Sequence, residues 1–459
     1  MTLRARALTT GGLALVLALA ACGDDEQTFT DAAAGDAPGA DAAVDAATTG
    51  NVTLTVRGDG APVAGVDVVW NDPAGAVQTH ETTDQNGQAS EVILTGSSVT
   101  IFVTINGGIS TRYITITYLD IEPGDDLVWD FGRPSAAIAT TVTVTLPGAA
   151  SGATWYRVDA GCVDATVGDP GTPVTFEIPA TCLGSDQNLD VVATAFDDNT
   201  APVGYDHARV AVSGATTAVT LDAWQTTYQP LSFTLTNPPA DATGVGVETH
   251  FRIDGVGFRG PQGGGGFSGG TATIASGYWS GGIVDRLQYV IFIGRTSGSD
   301  PAGASVIMAG RTDTPATVSH DLTTLLPRIL DASATAASGR LQVSWTPDGA
   351  FTATDGALLL SSWTEGSGLH EAYVMAPPGA TSPLTLPTIP GDLVVYRPGG
   401  AASFMTPTVI FIEADFMSGY ADFREQGWRI FGDTGTEILP VSGGLLRATL
   451  GGQLPGQGR

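Results

Sequence analysis

Four short stretches of this chain alternate apolar and polar residues at a strict period of two. Val52, Leu54 and Val56 interleave with Thr53, Thr55 and Arg57, and Ile114, Ile116 and Tyr118 with Tyr113, Thr115 and Thr117. Val142, Val144 and Leu146 interleave with Thr141, Thr143 and Thr145, and Leu231, Phe233 and Leu235 with Ser232, Thr234 and Thr236. A helix would scatter each set around its circumference, whereas an extended strand gives each set one face. The stretches are rich in Val, Ile and Thr and are broken by Gly, Pro and Asn clusters, as half-buried strands of sandwiches are. Sixty-one Gly and twenty-seven Pro supply the turns. Helical periodicity is scarce after Asn51, so the expectation is an all-β chain of tandem β-sandwich modules.

Three of these strands read as module openings, because each runs into a turn: Gly58-Asp59-Gly60, Pro147-Gly148 and Asn237-Pro238-Pro239. Sandwiches are expected at 51–134, at 138–229, and at 231–440 as one or two units, with a break near Ser338-Gly339. Residues 441–459 read as a flexible tail, and Gly263 to Gly266 as an exposed flexible loop.

Before the first module, Arg4 and Arg6 precede an eleven-residue apolar run, Gly11 to Ala21. A spanning helix needs about 20 such residues, so this run fits a secretory signal peptide, residues 1–21. Leu19-Ala20-Ala21-Cys22 resembles the lipobox of bacterial lipoproteins. The resemblance implies cleavage before Cys22, diacylglycerol on its thiol and acylation of its new amino group. Two or more acyl chains hold stably in a bilayer where one does not. Gly23, where Asp would mark retention at the inner membrane, implies the outer membrane of the cell envelope. Residues 22–50 are Ala- and Asp-rich with almost no large apolar side chain, and read as a disordered acidic tether.

The 459 residues carry a net charge of −28, and all nineteen basic residues are Arg. A strongly acidic chain without a basic patch excludes nucleic acid and anionic membrane surfaces as partners. Of the three cysteines, Cys162 and Cys182 remain once Cys22 is acylated, and an exported chain favours their pairing as a disulfide. Closing that loop of about 20 residues restricts the unfolded chain by roughly 3 kcal/mol.

The first module carries Gly60-Ala61-Pro62-Val63-Ala64-Gly65-Val66 and, further on, Thr82-Thr83-Asp84-Gln85-Asn86-Gly87. These resemble the entry and turn motifs of the carboxypeptidase regulatory-like domain, a transthyretin-like β-sandwich. Gly60, Pro62 and Gly65 shape the entry turn, and Thr83, Asp84 and Gly87 the second. The motif is structural rather than catalytic. The resemblance implies a non-catalytic accessory domain, and carbohydrate contact as in some related folds. Val66, Val68 and Trp70 are expected to share the core face.

Candidate chemistry is sparse. Gly266-Phe267-Ser268-Gly269-Gly270 fits the pattern of a hydrolase nucleophile elbow, which needs a strand before and a helix after; a glycine run precedes it here and a strand is expected to follow. His80, Glu81 and Asp84 lie within five residues, but His80 and Glu81 point to opposite faces of a strand. Asp84 to Gly87 has a faint calcium-loop look, lacking the later acids. His370-Glu371 has no second histidine at zincin spacing, and Glu365 stands nearby. His207, His250 and His320 are isolated. No cofactor or metal set emerges. Trp155-Tyr156 and Tyr278-Trp279 place neighbouring rings on opposite strand faces, which leaves one of each pair to stack on a sugar ring. The reading is a lipid-anchored, non-enzymatic chain presenting its sandwiches to a polysaccharide or another surface protein. Its alternatives are a carbohydrate-binding protein acting through the transthyretin-like module and a hydrolase hidden in 231–440.

Overall fold

The computed structural model describes residues 48–452 except 59, 108–109, 132–136, 162, 168, 185, 199–200, 280–281, 296–302, 433–438 and 441. The expected signal peptide, Cys22 and the tether as far as residue 47 lie outside these residues. The described residues are almost entirely β, in four sandwich modules.

The first module contains β1 (Thr49–Gly58), β2 (Ala61–Pro62), β3 (Asp67–Asn71), β4 (Val77–Thr82), β5 (Gln88–Leu94), β6 (Ser97–Gly107), β7 (Ser110–Ile121) and β8 (Asp126–Asp130). Thr49 and Gly50, expected in the tether, already belong to β1. Strand β1 runs antiparallel to β5 and parallel to β8, and its short partner β2 continues the ladder at Arg57 and Gly58. The facing sheet has the order β4-β3-β6-β7. Val52, Leu54, Val56, Val68 and Trp70 are fully buried between the two sheets.

The second module repeats this wiring. Its strands are β9 (Ile138–Thr145), β10 (Trp155–Ala160), β11 (Val163–Val167), β12 (Val174–Pro179), β13 (Asn188–Phe196), β14 (Pro202–Ala211) and β15 (Thr216–Thr220). Strand β9 is antiparallel to β12 and parallel to β15, and faces the sheet β11-β10-β13-β14. The third module holds β16 (Tyr228–Thr236), β17 (Ala242–Ile253), β18 (Val256–Gly265), β19 (Thr271–Trp279), β20 (Arg286–Arg295), β21 (Ala304–Arg311) and β22 (Thr317–Asp321). Strand β16 is antiparallel to β19 and parallel to β22, facing β18-β17-β20-β21. The three expected opening strands are therefore the centres of three equivalent small sheets.

The remainder forms a fourth module: β23 (Ile329–Ala337), β24 (Arg340–Pro347), β25 (Gly356–Glu365), β26 (Gly368–Ala376), β27 (Leu384–Thr385), β28 (Ser403–Phe404), β29 (Thr408–Ala414), α1 (Tyr420–Gly432) and β30 (Gly444–Gly452). The segment after residue 231 is thus two units. The expected break at Ser338-Gly339 is the tight turn of the β23–β24 hairpin, both residues having positive φ. The fourth module departs from the others in carrying α1 between β29 and β30 and in the make-up of its small sheet. The position beside its central strand β24, filled elsewhere by the module's own last strand in parallel, is held by β23 running antiparallel from the front.

Three modules are fused edge to edge. Strand β21 pairs with β30, and β26 pairs in parallel with β7, so one sheet runs β18-β17-β20-β21-β30-β29-β25-β26-β7-β6-β3-β4. Residues 444–452 are not a flexible tail. They form an interior strand with a partner on each side, and Leu446 and Ala448 are buried. The glycine run is not a loop either. Gly263, Gly264 and Gly265 pair with Val247, Gly246 and Val245. A Cβ at Gly263 would lie 2.7 Å from Ile274 Cγ2, so bare glycine lets β18 press against β19.

Candidate functional site

The parallel seam between β7 and β26 brings residues some 250 positions apart into register, His370 opposite Tyr113. On the outer face of this seam a row of rings crosses from one module to the other. Phe102 meets Tyr396 edge-on at 5.0 Å, Tyr396 meets Tyr113 at 5.7 Å and 86°, Tyr113 stacks on His370 at 4.9 Å, and His370 stacks on Trp363 at 5.0 Å and 12°. Leu393 and Tyr396 come from a 3-10 segment, Gly391–Tyr396, which lays the fourth module over Val69 and Phe102 of the first. Tyr396 and Thr104 bond through their hydroxyls at 2.8 Å. Asn71 Nδ2 donates to Thr388 O at 2.9 Å, and His80 lies between Asp67 (3.0 Å) and Asp392 (3.1 Å).

A cleft of about 490 Å³ opens over this row. Tyr113, Gly368 and His370 line it together with the Glu365–Ser367 turn and the 394–399 segment. Local chemistry explains its shape. Gly366 turns the β25–β26 hairpin with φ +61, and a Cβ on Gly368 would lie 2.9 Å from the Tyr113 ring. Gly399 N donates to Glu365 Oε2 at 2.8 Å, and Arg397 Nη2 donates to Ile389 O. Val394 and Val395 are exposed at the rim, at 59% and 42%.

His370 is the unusual group. Its residue is 4% exposed and its Nδ1 has no hydrogen-bond partner. Burial pushes its pKa down, against the opposing pull of Glu365, so the imidazole is neutral at pH 7. An orphaned buried ring nitrogen costs about 1–3 kcal/mol unless something satisfies it. The neighbouring Glu371 is committed elsewhere, bound at 2.5 Å by Arg112 across the seam.

The motif residues of the first module converge, though on structure rather than chemistry. Thr83 Oγ1 donates to Val63 O at 2.7 Å and accepts from Val66 N at 3.0 Å. Asp84 Oδ1 accepts from Asn86 N and Gln88 N, which holds its carboxyl below the usual range. Gly60, Gly65 and Gly87 all have positive φ, and Pro62 pairs with Arg57. Glu81 Oε1 accepts from Trp70 Nε1 at 2.7 Å, so His80, Glu81 and Asp84 have three separate tasks. No cluster of three metal-ligating side chains occurs among the described residues.

The proposed stacking rings are a correction. Tyr156, Tyr278 and Trp279 are buried at 2%, 1% and 1%. Tyr278 and Trp279 stand in an unbroken ladder with β16, yet neither ring is exposed. Both lie against Phe251, at 5.4 and 5.0 Å, because the β17–β18 hairpin folds over the end of β19. Tyr156 stacks on Trp224 and half-buried Trp155 on Phe196. The outer face of β10 and β13 is closed by the third module: Arg157 donates to Arg259 O, and Arg209 bridges Asp190 and Asp254. His207 is held by Asp190 at 2.8 Å and His320 by the Tyr289 hydroxyl at 2.8 Å. His250, whose Nε2 makes no hydrogen bond and stands 4.0 Å from Glu248, has its pKa pushed down to about 4 by burial.

Ser268 sits in a turn whose backbone bonds join Ser268 and Thr271 in both directions, and β19 follows directly. The strand-to-helix elbow that a nucleophile requires is absent at this position. Cys182 is buried in the 3-10 turn Ala180–Cys182 and is disulfide-bonded; Cys162 lies outside the described residues. The sequence singles out Glu365, His370 and Glu371 but not their partners. No local pattern joins Tyr113 to His370.

No protein-family model matches the chain, and no curated protein matches it. Among solved structures it is similar to the Bacillus anthracis TIE protein, at 11% identity and a TM-score of 0.14 over 60% of this chain and 50% of that one. The chain thus spans half of that protein. It is also similar to the shaft pilin SpaA from Lactobacillus rhamnosus GG (11% identity, TM-score 0.14, 38% of this chain and 99% of that one). A third is the streptococcal ancillary pilin (8%, TM-score 0.14, 60% and 99%). Likeness at this level carries no conclusion about activity.

Proposed function

We propose that this chain is an envelope-anchored, non-enzymatic binding protein that holds its ligand in the cleft between the first and fourth modules. The observation that carries this is the cleft itself, which only the docking of two modules creates and which Glu365, His370 and Arg397 line beside Tyr113. Ligand sites favour such interfaces, with a few convergent polar groups on an apolar floor. The lipobox-like Cys22 supplies the anchor, at the outer membrane, and residues 23–47 the tether. Cys162 is the partner of Cys182. In support, a Cβ on Gly161 would lie 3.1 Å from Cys182 Cβ, so the chain next to Cys162 runs beside it.

Cell fractionation with radiolabelled palmitate tests the anchor. Cys22→Ala should lose the label and leave the membrane pellet, and an unchanged labelled pellet overturns anchoring. A serine-hydrolase activity probe should leave the chain unmarked; marking abolished by Ser268→Ala overturns the non-enzymatic reading. Non-reduced peptide mapping should recover Cys162 and Cys182 in one linked pair.

A further inference from the structure

We infer that the ligand of this cleft is a neutral pyranose ring, a unit of an uncharged polysaccharide. The inference rests on the reading of the cleft as a ligand site and adds the chemistry of the occupant. Two charged groups line it with different hydrogen-bonding capacities: the Glu365 carboxylate only accepts and the Arg397 guanidinium only donates. The His370 ring lines the same cleft with its Nδ1 closed off from solvent. Adjacent sugar hydroxyls both give and take hydrogen bonds, and so satisfy an acceptor and a donor side by side.

Charge argues the same way. A cationic ligand would be set beside Arg397. An anionic one would meet Glu365 and a chain whose net charge is −28, a field that repels anions before they arrive. A neutral polyol escapes both penalties. The rest of the lining includes Ser367, Pro398 and the half-buried Tyr113 ring, with Val394 and Val395 exposed at the rim. Such surfaces suit the C–H face of a pyranose, which has apolar hydrogens on one side and hydroxyls around its edge. The volume of about 490 Å³ falls within the range of small-ligand sites.

The test uses the mature chain from residue 22 carrying Cys22→Ser, which removes the lipid and nothing else. Maltose, cellobiose, lactose and diacetylchitobiose serve as neutral probes, with glucuronic acid and arginine methyl ester as charged ones. Calorimetry gives affinity, and the His370 ring resonances, assigned by loss in His370→Gln, report the place. At least one neutral disaccharide should shift those resonances saturably and bind tenfold or more tightly than either charged probe. Glu365→Gln and Tyr113→Ala should each weaken it tenfold or more, with folding checked by the methyl spectrum. A charged probe that saturates the His370 shift while every neutral sugar is silent overturns the sugar and leaves the cleft a ligand site. If no probe moves His370, or if sugar binds equally well to the Glu365→Gln and Tyr113→Ala chains, both readings fall.

Discussion

Single residues carry the two turns that open the first module, and Gly87 shows why their identities matter. Its φ is +72, and an added Cβ would run into Val56 O and come within 3.0 Å of Val63 N. Those atoms belong to the ladder in which Val56 N donates to Gly87 O and Val63 N to Val56 O. Gly87→Ala should therefore cost about 2–4 kcal/mol in urea unfolding, while Gly148→Ala, where a Cβ meets nothing within 4 Å, should be silent. Equal effects would show that the turn yields. Asp159 makes a different prediction, about pH. Burial pushes its carboxyl up to about 6 although Arg157 pulls it down. Its folded pKa lies above its unfolded value of 3.8, so between those values the folded chain binds the extra proton. Stability from this group is present in acid and lost as pH rises through about 6, a change of roughly 3 kcal/mol. Denaturant midpoints from pH 4 to 7 should carry that slope, and Asp159→Asn should flatten it. Superimposable profiles would place the charge in a wetter site.

At the scale of elements, α1 is a staple. It belongs to the fourth module by sequence but packs beside β8 of the first. Arg424, 2% exposed, reaches Asp125 at 2.7 Å and donates to Asp120 O at 2.5 Å, while the single Tyr420 O–H is shared between Leu119 O and Met375 O. Arg424→Ala leaves Asp125 without its cation and should lower stability by about 3–5 kcal/mol. Arg424→Lys should not restore it, because an ammonium lacks the planar fork that serves two acceptors. Full rescue by lysine would reduce the contact to simple charge. This helix also marks how far the elements could be read in advance. Val52, Leu54 and Val56, Val142 and Val144, and Leu231, Phe233 and Leu235 were legible as core faces, and all are buried, because a period of two depends only on neighbours along the chain. Gly263 to Gly265 misled, since glycine there answers to Ile274 across a sandwich rather than to a turn. Residues 444–452 misled because nothing local announces two distant partners. Tyr278 and Trp279 misled because Phe251, distant in sequence, covers both rings, which nothing local announces. The cleft was illegible for the same reason: His370 was visible as a residue, but Tyr113 reaches it only through the fused sheet.

That fusion sets the behaviour of the whole molecule. A β-sandwich usually ends at its edge strands, but here the first module's edge is completed by the fourth. Eight pairs, from Gly368 and Thr111 to Met375 and Tyr118, join β26 to β7. The outer face of the same sheet, Val69 and Phe102, is covered by Leu393 and Tyr396. Thr115 and Thr117, on the polar side of β7's alternation, are buried, because this strand is interior to the assembly. The first module therefore folds with an open ladder and an uncovered apolar patch until residues 368–396 arrive, a long-range closure of the kind that slows folding. Cut free as residues 48–131, it should pair through that edge with another copy, as unprotected edge strands do. Sedimentation at tens of micromolar should find dimers or larger species of the fragment. Thr115→Lys with Phe102→Lys should return it to monomer by placing charge on the exposed edge and face, at little cost to the inner core. A wild-type fragment that stays monomeric with native strand content would mean that the first module tolerates its bare edge, and that docking of the fourth serves the cleft rather than the fold.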